Sequence, residues 1–154
     1  MAVTAMNLQP IKIGIVPEDQ PGKIGLVGMP TWMWAANPGE NTTGPMTRSA
    51  TADPVTVTAV ANLDRTVWNM GDGTTVVCHG AGTPYSDGYG GADSPTCGHR
   101  YQHPSDQQPG MAYTVTSYWN ITWFGGGGAG VIPQQLTSNT RIQVGELQVI
   151  VTGR

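Results

Sequence analysis

Apolar and polar side chains alternate along much of the chain, and a period of two marks a strand with one buried face. The longest run covers 113–124: Tyr113, Val115, Ser117, Trp119, Ile121 and Trp123 share one parity, and Thr114, Thr116, Asn120 and Thr122 the other. One face is strongly apolar and the other is hydroxyl or amide, as in an antiparallel sheet with one wet side. Val55, Val57 and Ala59 alternate in the same way with Thr56, Thr58 and Val60. Ile11, Ile13 and Ile15, around Lys12 and Gly14, predict a short half-buried strand ending at Pro17. Residues 24–27 and 31–34 read as extended pieces interrupted by Gly28 and Pro30, with Trp32 and Trp34 on one side. No segment carries a helical period of useful length, so the pattern predicts an all-β chain.

The breaks between these runs are equally informative. Asn62, Leu63, Asp64 and Arg65 read as a turn leading into a strand on which Trp68 and Met70 point to one side. Gly71, Asp72 and Gly73 form a tight turn, because glycines accept positive φ and an aspartate between them accepts bonds from turn amides. Residues 75–78 are then the hairpin partner. Residues 18–22 form a turn cluster, and 37–45 a loop rich in Pro, Gly and Asn. Residues 1–9 carry little pattern, unless Val3 and Leu8 meet a neighbouring edge. The glycine-rich stretch 125–130 is expected to be a hairpin tip. The return strand is expected to start with Ile142 and Val144, then to change parity to Leu147, Val149 and Val151 through a bulge near Gly145.

The run Trp68-Asn69-Met70-Gly71-Asp72-Gly73 resembles the W-x-F-G-D-G signature of PKD domains, immunoglobulin-like modules of polycystin and of bacterial surface and secreted proteins. His99 stands where the family has a His or Tyr before a bend, and Pro109-Gly110-Met111-Ala112-Tyr113-Thr114-Val115 occupies the place of its G-x-Y-x-V strand. Met70 departs from the usual aromatic residue, and a long insertion separates Thr75 from Gly98. The match covers roughly residues 55–124. It implies an immunoglobulin-like β-sandwich with Trp68 in the core, a structural hydrogen bond for His99 and a role in protein contact or spacing. The whole chain is also similar to uncharacterised actinobacterial extracytoplasmic proteins, which implies a location and no activity. One domain over residues 1–154 is expected: 1–54 as N-terminal extension strands and loop, 55–124 as the family-like core and 125–154 as a closing hairpin strand.

Composition narrows the partners. The chain has 154 residues, enough for one core and short for two. Charged residues make up 11 % and the net charge is −3, with seven Lys and Arg scattered and no basic stripe, which argues against nucleic acid. No apolar run reaches membrane-span length, so this segment is expected not to insert. The N-terminus lacks the pattern of an export signal, which is expected to lie outside this chain. Cys78 and Cys97 are the only cysteines; their separation fits neither C-x-x-C nor zinc spacing, and two thiols do not fill a zinc shell. A disulfide closing the insertion is therefore expected, together with an oxidising, extracytoplasmic compartment.

Candidate chemistry is sparse. His99 and His103 have helical metal spacing on a stretch that Pro104 keeps from being a helix, and a site drawing on His79, His99 and an Asp lacks a pattern. Without a nucleophile-elbow motif, catalysis is not predicted, and a hydrolase with an unrecognised site is an alternative only. No cofactor is expected. Asp87 and Asp93, with Ser86, offer hard oxygen ligands for calcium in no EF-hand spacing, and are weak metal candidates. Trp32, Trp34, Trp119 and Trp123 are read as core, or, if two lie exposed and coplanar, as a platform for carbohydrate or peptide. Tyr85, Tyr89 and the 125–130 tip are candidate contact points. The reading is a non-catalytic extracytoplasmic module that meets a protein partner or a cell-wall polymer, with a tryptophan-based carbohydrate-binding module as the alternative.

Overall fold

The computed structural model describes residues 6–16, 25–26, 28–102, 111–142 and 144–145. The expectations for Val3, the 18–22 turn, His103, Gly110 and the Leu147, Val149 and Val151 stretch lie outside the described residues. Among the described residues there is no α-helix, and the strands are β1 (Ile13–Val16), β2 (Gly25–Leu26), β3 (Pro30–Ala35), β4 (Met46–Ala52), β5 (Val55–Asn69), β6 (Thr75–Cys78), β7 (Gly98–Arg100), β8 (Met111–Gly125), β9 (Gly128–Ile142) and β10 (Val144–Gly145). A large antiparallel sheet runs β4-β5-β8-β9, with β6 also paired to β5. A smaller antiparallel sheet runs β1-β3-β7, and β10 pairs β2 in parallel. The chain is all-β and sandwich-like, with a disulfide between Cys78 and Cys97.

Alternation accounts for the large sheet. On β8, Tyr113, Val115, Ser117, Trp119 and Ile121 are buried, and their neighbours of opposite parity are half-buried or exposed. Strand β5 is continuous for 15 residues where the sequence predicted a turn at Asn62–Arg65. The register on β8 shifts between Leu63 and Arg65 instead. The bulge reverses parity, so Ala59 and Ala61 before it and Thr66 and Trp68 after it all point inward. A parity break looks like a turn in sequence; here it keeps one long strand on one face.

The return strand also differs from expectation. It begins at Gly128 rather than Ile142 and pairs with β8 from Gly125↔Gly128 to Met111↔Ile142. Gly128 and Gly130 belong to the strand because the Trp123 indole occupies the space above them: a Cβ on Gly130 would stand 2.6 Å from its Nε1. Past β9 the chain joins β2 through Val144–Gly145, so the bulge expected near Gly145 has no counterpart on the described part of this sheet. The strand β4 is unannounced by the sequence pattern. It is an edge strand whose exposed side carries hydroxyls, with Ser49 on Thr58 and Thr51 on Thr56, as Thr116 of β8 meets Thr137 of β9 on the same outer face.

Two clusters fill the inner face. Trp68, Met70, Tyr113 and Val115 from the large sheet meet Ile15, Met33 and Ala35 from the small one, with Ile11, Tyr101 and the two cysteines between. Ala59, Ala61, Trp119 and Ile121 cluster with Met46, their neighbour on β4, and with Met6 from the segment before the first strand. The buried Thr66 and Ser117 pair lies between the clusters, and the Trp68 Nε1–H donates to Thr66 Oγ1 at 3.0 Å.

Candidate functional site

The Gly-Asp-Gly corner is built from local chemistry. Gly71 and Gly73 take φ of 81° and 87°, and the turn closes through Met70 N–H donating to Thr74 O at 3.0 Å. Asp72 Oδ1 accepts from Thr74 N–H at 3.0 Å, which holds its own turn, and Oδ2 lies 2.9 Å from His99 Nε2 on β7. Tyr101 donates to Met70 O at 2.7 Å and meets the His99 ring edge-on. Burial pushes the Asp72 carboxyl up, but the His99 bond, the Thr74 amide and the His99 charge outweigh it and hold it below the ordinary carboxylate range. Burial and the nearby Asp72 charge push the Tyr101 phenol above its usual value. Trp68, Met70, Tyr113 and Val115 are buried behind this corner. Asp72 Oδ2, through His99, and the Met70 carbonyl, through Tyr101, thus tie the β5–β6 turn to β7 and the residue that follows it.

The insertion is stitched along β3. Met33 N–H donates to Cys97 O and Ala35 N–H to Ala81 O, and the disulfide joins the end of β6 to the residue before β7. Tyr85 and Tyr89 close over Trp32, with ring centroids 5.1 and 4.6 Å away, and the Trp32 Nε1–H donates to Ala92 O. Trp32 is consequently 1 % exposed, which removes it from the candidate surface. Tyr85 is half-buried with its hydroxyl donated to Gly90 O, while Tyr89 is 42 % exposed on its outer side. Asp93 spends both oxygens on Arg100, whose guanidinium also donates to Gly28 O, so it does not converge with Asp87 on a cation. Among the described residues no group of three or more His, Cys, Asp and Glu could hold a metal.

The remaining tryptophans separate. Trp119 is 1 % exposed inside the large sheet, with its Nε1–H lacking a protein partner, and therefore offers no platform. Trp123 is half-buried over Gly128 and Gly130 of the large sheet, and Trp34 is half-buried on the small sheet. The two half-buried tryptophans therefore lie on different sheets. His79 Nδ1 lies 3.2 Å from Asp64 O, and neither it nor His99 bonds a Ser, Thr or Cys side chain among the described residues.

One concavity lies beside the insertion. It measures about 900 Å³ and is lined by Lys12 just before β1, by Gly14 and Trp34 of the small sheet and by Tyr85, Ser86 and Asp87 from the insertion. Sequence reasoning named Trp34, Tyr85 and Asp87 for three different purposes and missed that they share a wall. The available signal was Gly14, a glycine inside an Ile-rich strand, which marks close approach by a neighbour. Comparison with known protein families, curated proteins and solved structures gives no match.

Proposed function

We propose that this chain is a non-catalytic extracytoplasmic binding module with an immunoglobulin-like, PKD-like sandwich, displaying its insertion and the adjoining groove to a component of the cell envelope. The observation that carries the reading is the use of the signature residues: Asp72, His99, Tyr101 and the Met70 carbonyl are all engaged in holding one corner rigid. Such a corner positions the adjoining loop. The disulfide fits an oxidising compartment, because a reducing cytosol keeps cysteines as thiols. A hydrolytic reading finds no support in the two described histidines, which contact a backbone carbonyl and a structural carboxylate.

The test is retention of the purified, oxidised chain by sedimented bacterial cell-envelope fragments. Saturable retention that drops when the insertion is released by Cys78→Ala with Cys97→Ala supports the module reading. Absence of retention, or retention indifferent to the insertion, counts against it.

A further inference from the structure

We infer that the groove beside Trp34 is a binding site for an uncharged pyranose oligosaccharide. This rests on the binding-module reading and names the class of ligand. The argument begins with a register pair: Gly14 of β1 stands opposite Trp34 of β3. A Cβ on Gly14 would lie 2.3 Å from Trp34 Nε1 and 2.4 Å from Cε2, so the indole rests its five-membered ring directly on the glycine. Any larger residue at position 14 would push the ring away. The half-buried indole is thereby held as a wall of the groove rather than folded into either core cluster.

Around this ring stand polar groups with no protein partner. Lys12, Ser86 and Asp87 are exposed, and among the described residues their side chains make no hydrogen bond or ion pair. Ser86 occupies the position before a 3-10 turn without capping it. Elsewhere in the insertion polar side chains are engaged: Asp93 with Arg100, Thr83 with Thr96, Ser94 with two amides. A flat apolar ring flanked by a hydroxyl, a carboxylate and an ammonium matches a pyranose, whose C–H face is apolar and whose rim carries hydroxyls that donate and accept. One positive and one negative side chain leave the groove without a dominant sign, which disfavours an anionic ligand. The volume falls within the range of roughly 300–1,000 Å³ usual for small-molecule sites.

The test titrates the oxidised full chain with cellotetraose, N-acetylchitotetraose, mannotetraose and protein-free bacterial cell-wall polysaccharide, following the indole N–H signals by NMR. At least one probe should shift the Trp34 signal saturably. Trp34→Ala, or Gly14→Ala, which displaces the ring, should weaken binding about tenfold or more, Asp87→Asn at an exposed position severalfold, and Trp123→Ala on the other sheet not at all. Failure of all four probes, or binding unchanged in both Trp34→Ala and Asp87→Asn, overturns the inference. Envelope sedimentation separates the two claims: retention that requires envelope protein and vanishes on protein-free polysaccharide removes the sugar site and leaves the module, whereas no retention on either removes both.

Discussion

The two ends of the large sheet solve the burial problem differently. At the corner end, Trp68, Met70, Tyr113 and Val115 face a second sheet, and the layers are cross-tied by the disulfide, Tyr101 to Met70 O and His99 to Asp72. At the tip end, Ala59, Ala61, Trp119 and Ile121 lie on the same face of the same sheet, with Met46 of β4 beside Ala61, but are roofed by Met6 and partly buried Leu8. Ring size stands in for a missing layer there: Gly128 and Gly130 on β9 make room for Trp123, and Gly44 before β4 makes room for Trp119. Sheet-on-sheet packing couples residues distant in sequence, whereas a roof of single side chains couples few. Cooperative stability should therefore concentrate at the corner, and the tip should open on its own.

The sharpest way to break this contrast is truncation of the central ring at each end. Trp68→Ala and Trp119→Ala should each cost about 3–5 kcal/mol. Trp68→Ala should lower global stability by its full amount, read from denaturant melts. Trp119→Ala should instead raise amide exchange first across 119–134 while the corner amides stay protected. Equal, uniform loss of protection in both variants would erase the distinction. The next effect is smaller: replacing Cys78 and Cys97 with alanine removes a crosslink spanning 19 residues, worth about 3 kcal/mol in the chain-entropy model. It should also uncover Trp32, moving its fluorescence to longer wavelength, because Tyr85 and Tyr89 cover it only from the insertion.

These two ends were not equally legible in the sequence. The corner was readable because its causes are local: the shared parity of Trp68 and Met70, and glycines flanking an aspartate, are visible within a few residues. The tip was misread because its causes are cross-strand. Gly128 and Gly130 look like loop residues until Trp123 of the facing strand is placed over them, and the bulge at Leu63/Arg65 breaks parity as a turn would. Strand β4 carries Thr, Ser and Ala at an edge, where no apolar stripe is needed, so alternation had nothing to report. The burial of Trp32 and the sharing of one groove by Trp34 and Asp87 both depend on where the insertion returns along β3, which no periodicity encodes.

Gly125→Ala sharpens the tip side of the comparison. Its φ of 129° lies where side chains are strained, and a Cβ there would stand 2.1 Å from Thr56 O. Because the obstacle is backbone of β5, the strand pair must part, at a cost of about 1–3 kcal/mol. Protection should fall near 55–58 and 123–128 and remain at 66–70 and 113–116. Propagation of the loss to the corner would mean that the sheet transmits strain along its whole length.

The smallest effect tests the corner through pH. Asp72 is held below the ordinary carboxylate range in the folded chain, so the unfolded chain takes up a proton first as pH falls. Its contribution is then fully present above the unfolded carboxyl value of about 3.9 and disappears as pH drops through the lower folded value. Asp72→Asn keeps an oxygen for the Thr74 amide but removes the charge facing His99. At neutral pH the variant should be less stable by under about 1 kcal/mol, since the pair is partly screened by solvent. Its acid limb in a stability-versus-pH series should be shallower than that of the parent below pH about 4. Parallel acid limbs would mean that the Asp72–His99 bond adds nothing to the tie between β7 and the turn, leaving Tyr101 as the link that holds the corner against the second sheet.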